Sequence, residues 1–166
     1  MWNDKRGNMF KYLGKKGHCI VITTNQTLKK DGRLVMGKGA AYELVKRLKH
    51  RGDISKLAGK KVKGLRRNLG KRPYGFLFLV KGRVGMFQTK YNYFEDSDTY
   101  IIRFSATKLR TVCLKYPKTK FHLNYPGIGF GNLPIEHVKP VLDEVFKDVK
   151  NLYIWQLHED VEEFDG

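Results

Sequence analysis

Apolar and polar positions change their spacing several times along the chain, and each change marks an element. His18-Cys19-Ile20-Val21-Ile22-Thr23-Thr24 is a short β-branched run and predicts a buried strand. Ala40, Ala41, Leu44, Val45 and Leu48 then recur at helical spacing, with Lys46, Arg47 and Lys49 opposite, so a helix is expected from about residue 39 to residue 50, stopped by Gly52. Two apolar runs, 74–80 and 84–89, flank Lys81-Gly82-Arg83 and read as a hairpin. Ser97 or Asp98 caps a helix whose stripe is Ile101, Ser105, Leu109, Val112 and Tyr116, and Pro117 ends it. Residues 120–124 form a short strand, and Val138, Val141, Leu142, Val145 and Phe146 a further helix. Pro140 within it calls for either a separate first turn over 134–137 or a kink. Leu152-Tyr153-Ile154-Trp155 is the last strand, and the pattern leaves the type of the first segment, through Phe10, open.

Strands alternating with helices, with one hairpin between them, specify a layered α/β domain around a mixed sheet. Two of the strand-to-helix connections are rich in glycine: Gly37-Lys38-Gly39-Ala40 after the 18–24 strand, and Gly127-Ile128-Gly129-Phe130-Gly131-Asn132 after the 120–124 strand. A strand, a glycine turn and a helix start aim backbone N–H groups and a positive helix end at one spot, which suits a phosphate. A Cβ at Gly37 or Gly39 is expected to obstruct the turn and a ligand's approach. In one sheet, two such units bring their loops to the same edge, around one crevice.

Charge changes this picture more than composition does. There are 33 Lys+Arg against 16 Asp+Glu, a net charge of +17 on 166 residues. Lys56, Lys60, Lys61, Lys63, Arg66, Arg67, Lys71 and Arg72 concentrate the excess, and glycines at 59, 64 and 70 argue for a surface loop rather than a long helix there. That segment is either a solvated face or a patch for a polyanion such as nucleic acid. Cys19 and Cys113 read as small buried hydrophobes, so no metal, disulfide or cofactor is expected. No apolar run approaches the roughly 20 residues that span a bilayer. No secretory h-region follows Met1, and a cytoplasmic location is expected.

Taken together and in order, these motifs resemble the macro domain family of ADP-ribose-binding modules, over about residues 6 to 157. Gly7-Asn8-Met9-Phe10 is similar to the family's Gly-Asp-hydrophobic start. Thr23-Thr24-Asn25, followed by Gly32 to Ala40, resembles its first phosphate-and-ribose loop. Tyr125-Pro126-Gly127-Ile128-Gly129-Phe130-Gly131-Asn132 resembles its Pro-x-hydrophobic-Gly-x-Gly diphosphate loop. Phe87-Gln88-Thr89-Lys90, with Glu95-Asp96-Ser97-Asp98, is similar to a branch of small bacterial and phage macro proteins. More distantly it resembles the terminal ADP-ribose glycohydrolases that use a lysine.

The resemblance implies a three-layer α/β/α fold over 1–157, followed by an acidic tail at 158–166. It implies that Asn8, Met9, Thr23, Asn25, Gly37 to Ala40 and Gly127 to Asn132 bind ADP-ribose, or an ADP-ribosylated substrate, with the diphosphate against the two glycine loops. It also implies that Lys90 and Asn25 carry any catalysis at the distal ribose, as a hydrolase of ADP-ribose 1″-phosphate or of ADP-ribosyl linkages. Two departures bear on this. Asn8 stands where an aspartate usually accepts from the adenine amino group, and an amide oxygen accepts too. Asn132 stands near where the lysine-using enzymes carry an acid/base aspartate, and an amide cannot titrate. Asp96 and Asp98 read as helix caps, and Tyr91, Tyr93 and Phe94 either as a packing cluster or as rings that stack on adenine or close over the ribose. A non-catalytic reader is therefore the other reading, with a nucleic-acid-binding protein on a macro scaffold behind it.

Overall fold

The computed structural model of the chain describes residues 1–70 and 72–157, the side chains of residues 67 and 69 excepted. The expected acidic tail at 158–166, and the Arg67 and Lys71 side chains of the expected basic patch, lie outside the described residues. In order, the elements are β1 (Asn3–Gly7), β2 (His18–Thr24), α1 (Gly39–Leu48), α2 (Ile54–Leu69), β3 (Phe76–Val80), β4 (Val84–Gln88), α3 (Thr99–Lys115), β5 (Lys120–Asn124), α4 (Ile135–Val145) and β6 (Leu152–Leu157). A 3-10 turn, Met9–Tyr12, follows β1, which settles the segment that the pattern left open.

The strands form one six-stranded sheet in the order β1-β6-β5-β2-β4-β3. Every neighbouring pair is parallel except β3 with β4. Helices α3 and α4 close one face over Phe87, Phe121, Leu123 and Ile154, and α1 and α2 close the other over Ile20, Ile22 and Met86. This is the expected three-layer α/β/α fold with a mixed sheet. Because β1, β6, β5, β2 and β4 run parallel, the loops that follow them leave from the same edge.

Asp98 caps α3 as its position suggested: its carboxylate accepts from the Tyr100 N–H at 2.8 Å. Ile101, Ile102, Ser105, Leu109 and Cys113 are its buried stripe. Helix α4 is continuous through Pro140, so the separate first turn does not form.

Ile54–Leu69 corrects the reading of a surface loop. It is a sixteen-residue helix, capped by Asp53, whose carboxylate accepts from the Lys56 N–H at 3.1 Å. Ile54, Ala58 and Val62 are buried at helical spacing, with Lys56, Lys60, Lys61 and Lys63 outward. Gly59 is a packing residue rather than a breaker. A Cβ there would come within 2.9 Å of the Gly32 carbonyl carbon and of the Leu34 nitrogen, and nearer still to the Gly32 oxygen.

Candidate functional site

Residues 25–38 leave β2 and double back before α1. Lys29 N–H donates to the Arg33 carbonyl (2.7 Å) and Val35 N–H to the Thr27 carbonyl (3.0 Å). Asn25 fastens the base of this excursion: its Oδ1 accepts from Thr27 N–H (2.8 Å) and its Nδ2 donates to the Val35 carbonyl (3.0 Å). Both functions of its amide thus hold the loop, which leaves one N–H for a ligand. Thr23 is tied to β5, its N–H donating to Asn124 Oδ1 and its hydroxyl accepting from Asn124 Nδ2 at 2.8 Å.

The loop ends at the start of α1. Gly39 holds φ +64°, which a side chain rarely adopts, so this glycine is required by the turn. Gly37 corrects the expectation: its φ is unexceptional, and nothing in the protein lies within 4 Å of a Cβ there. Only a ligand would make that position demanding. Helix α1 has no acidic residue in its first turn and no side-chain cap, so its first N–H groups and its positive end face outward without a protein anion.

The second glycine loop follows β5, the neighbour of β2. Gly127 (φ +81°) and Gly129 (φ +66°) turn it, and Gly129–Gly131 form a 3-10 turn. Asn132 closes it in the left-handed region (φ +61°), which Asn tolerates better than most residues. The two loops meet where Lys38 Nζ lies 5.4 Å from the centre of the half-exposed Phe130 ring. Met9 is wholly buried, and Asn8 Oδ1 accepts from Phe10 N–H at 2.9 Å. The Met9 side chain is thus packed in the core, and the Asn8 amide oxygen caps the 3-10 turn.

Lys90 lies at the end of β4, half-buried. Burial, helped by the Lys38 charge, holds its ammonium below the usual lysine range, with Asp96 and Glu95 pulling the other way. Its backbone is set by Gln88, which is fully buried and uses both ends of its amide. Gln88 Nε2 donates to the Lys90 carbonyl (3.1 Å) and to Gln26 Oε1 (2.7 Å), while its Oε1 accepts from the N–H groups of Tyr74 (2.8 Å) and Gly75 (3.1 Å).

Asp96 is not a helix cap, and the sequence reading is corrected here too. Asn132 Nδ2 donates to Asp96 Oδ1 at 2.8 Å, Ser97 N–H donates to the Gly131 carbonyl at 2.8 Å, and Asp98 N–H to the Thr89 carbonyl at 3.0 Å. The segment 96–98 therefore bolts the second glycine loop to the end of β4 and puts a carboxylate beside the lysine. Nothing in the sequence spacing marks Gln88, Ser97 or Asp96 for these roles, since their partners are distant in the chain. Tyr93 and Phe94 are not a packing cluster: they are 54% and 73% exposed and touch each other edge to face. Beside them a cavity of about 620 Å³ is lined by Gln26, Arg66, Tyr91, Asn92 and Glu95.

The two glycine loops thus lie side by side where β2 and β5 end, with the partly buried Lys90 amine at the end of β4. The fold is that of macrodomains. The chain superposes on the macrodomain of Thermus aquaticus DarG with a TM-score of 0.65 at 21% identity, covering 95% of this chain and 97% of that one. It matches Thermosipho africanus DarTG, solved in complex with ADP-ribose, with a TM-score of 0.67 at 19% identity, over 96% of this chain and 43% of that one. A macrodomain protein from Streptomyces coelicolor matches at 0.58 and 12% identity, over 93% and 99% of the two chains. No family model matches the sequence, and no curated protein matches it.

Proposed function

We propose that the two glycine loops border a cleft that binds ADP-ribose. The diphosphate lies between Gly37 to Ala40 and Ile128 to Asn132, the adenine toward Asn8 and Met9, and the distal ribose toward Asn25 and Lys90. The observation that carries this is the pairing of the two glycine loops at one sheet edge, with the uncapped start of α1 between them. Backbone donors and a helix end suit a diphosphate and need no side-chain cation. That the similarly folded DarTG structure holds ADP-ribose supports the same ligand.

Lys90 supports turnover at the distal ribose. An amine whose pKa is lowered by burial is unprotonated more of the time, and so more often has the lone pair that attack on C1″ requires. The C1″ bond to the leaving group, a phosphate or the carrier that bore the ADP-ribose, breaks with its electron pair going to that group, and water then cleaves the lysine adduct to free ADP-ribose and the amine. Asp96, held by Asn132, is the carboxylate nearest in the network to return the proton that Asn132 cannot. The reading is a hydrolase of ADP-ribose 1″-phosphate or ADP-ribosyl linkages. Lys60, Lys61, Lys63 and Arg66 of α2 would face a phosphodiester-bearing carrier, although Arg66 also donates to the Gln26 carbonyl. The amide at Asn132 favours a second reading, a reader that binds without turnover. Incubation with ADP-ribose 1″-phosphate tests the difference: phosphate release by wild type and not by Lys90→Ala is expected of the enzyme, and no release by either protein leaves the reader.

A further inference from the structure

The sheet face that α1 and α2 cover continues past them onto β5, β6 and β1. Strand register puts Lys5 opposite Trp155, His122 opposite Tyr153, and Lys120 opposite His18, so these six share that face. The cover here is the short turn after β1. Its Tyr12 ring lies flat against His122 (centroids 4.4 Å apart, 10° between planes) and His18 (4.7 Å, 13°). Tyr153 stacks on His122 at 5.2 Å. A cavity of about 310 Å³ opens among these rings. It is distinct from the glycine-loop cleft, because His18 and Lys120 begin β2 and β5 at the opposite edge of the sheet.

The rings are fixed by a hydrogen-bonded chain. Trp155 Nε1–H donates to His122 Nδ1 at 3.1 Å, which leaves the proton of a neutral His122 on Nε2, facing His18 Nδ1 at 2.9 Å. A neutral His18 then carries its own N–H on Nε2. Among the described residues, the cavity is lined by cations and no carboxylate: Lys5, Arg6, Lys11 and Lys120 stand around the plate. Lys11 Nζ is 5.3 Å from the Tyr12 ring centre and 5.4 Å from that of Trp155, and Lys15 Nζ is 5.5 Å from Tyr12. Ammonium groups poised over an aromatic plate, with no acid in the lining to neutralise them, present phosphate contacts and ring contacts together. A net charge of +17 is also far more than a dianion such as ADP-ribose calls for.

We propose that this face is a second site, for single-stranded nucleic acid, with Lys5, Lys11, Lys15 and Lys120 on the phosphates and Tyr12 and Tyr153 against the bases. The site does not depend on the ADP-ribose reading. The probe is a short fluorescein-labelled oligothymidylate, followed by anisotropy at salt from about 50 to 200 mM. Wild type binds, and the affinity falls steeply with salt. Replacing the four lysines by Ala flattens the slope of log affinity against log salt by up to about three units, at about 0.7 for each phosphate no longer neutralised. Tyr12→Leu weakens binding about fivefold or more and leaves the slope in place, as removal of a stacking surface should. Saturating ADP-ribose changes neither result.

Thermal melts accompany each variant, and the surface lysine variant is expected to keep the wild-type midpoint. Four results would overturn the proposal: no binding by wild type at low salt; a folded four-lysine variant that binds like wild type; loss of binding instead on replacing Lys60, Lys61, Lys63 and Arg66 of α2; or competition by free thymidine monophosphate or inorganic phosphate as effective, per phosphate, as the strand.

Discussion

Gly59→Ala sets two physical effects against each other, and the structure decides the sign. In a helix interior, alanine is favoured over glycine by about 1 kcal/mol. Gly59, however, is buried where α2 crosses the first loop, and its new methyl would stand within 2.9 Å of three backbone atoms of Gly32 and Leu34. Backbone cannot swing aside as a side-chain tip can, so helix and loop must separate, at a cost of about 3 kcal/mol, the upper end of the usual overpacking range. The Leu34 N–H to Ser55 carbonyl bond (2.9 Å) spans the same seam and is strained with it. The expected net loss is about 2 kcal/mol, against a gain of about 0.5–1 kcal/mol for Gly64→Ala, which lies in the same helix with open space around it. For a chain of this size, chemical denaturation and a thermal melt should show the first variant about 4–8 °C below wild type and the second slightly above it. Because the displaced loop leads to Gly37 and Gly39, Gly59→Ala should also weaken ADP-ribose binding. A Gly59→Ala protein as stable as Gly64→Ala would refute the close approach.

Three further outcomes follow from the site and the core. Lys90→Ala should cut turnover by about a hundredfold while leaving ADP-ribose affinity nearly unchanged, read from single-turnover kinetics beside a titration. Asp96→Asn should lower the rate with the melt unchanged, and an unchanged rate would exclude Asp96 from proton transfer. His122 is held down to about 3, chiefly by burial and then by His18, Lys120 and Lys11, against an ordinary 6.5. The unfolded chain therefore takes up a proton that the native state refuses. The stability this residue allows is full above 6.5 and lost as pH falls toward 3, by about 2 kcal/mol between pH 7 and 5. Denaturant titrations of His122→Phe should show that dependence reduced, and an unchanged dependence would assign it elsewhere.

What the sequence made legible follows its periodic parts. β2, α1, the β3–β4 hairpin, α3 with its Asp98 cap and β5 were all expected near their observed bounds, because one face of each is buried and repeats at its own period. Helix α2 was not, although Ile54, Ala58 and Val62 carry the period. Its glycines resemble breakers in the sequence, and only the crossing with residues 32–34 shows why Gly59 is small. The two glycine loops were legible as a pair. The network around Lys90 was not: Asp96 meets Asn132 across 36 residues, and Gln88 meets Gln26 across 62, and no local pattern reports such pairings.

Calorimetric titration of the protein with ADP-ribose, beside Gly129→Glu, tests binding between the two glycine loops most directly. Wild type should bind one ADP-ribose with a dissociation constant in about the micromolar range, near −8 kcal/mol. Gly129→Glu should abolish binding, since it forces a side chain onto a backbone at φ +66° and sets a negative charge among the donors meant for the diphosphate. No heat from wild type at millimolar ADP-ribose, or equal binding by Gly129→Glu, would contradict it.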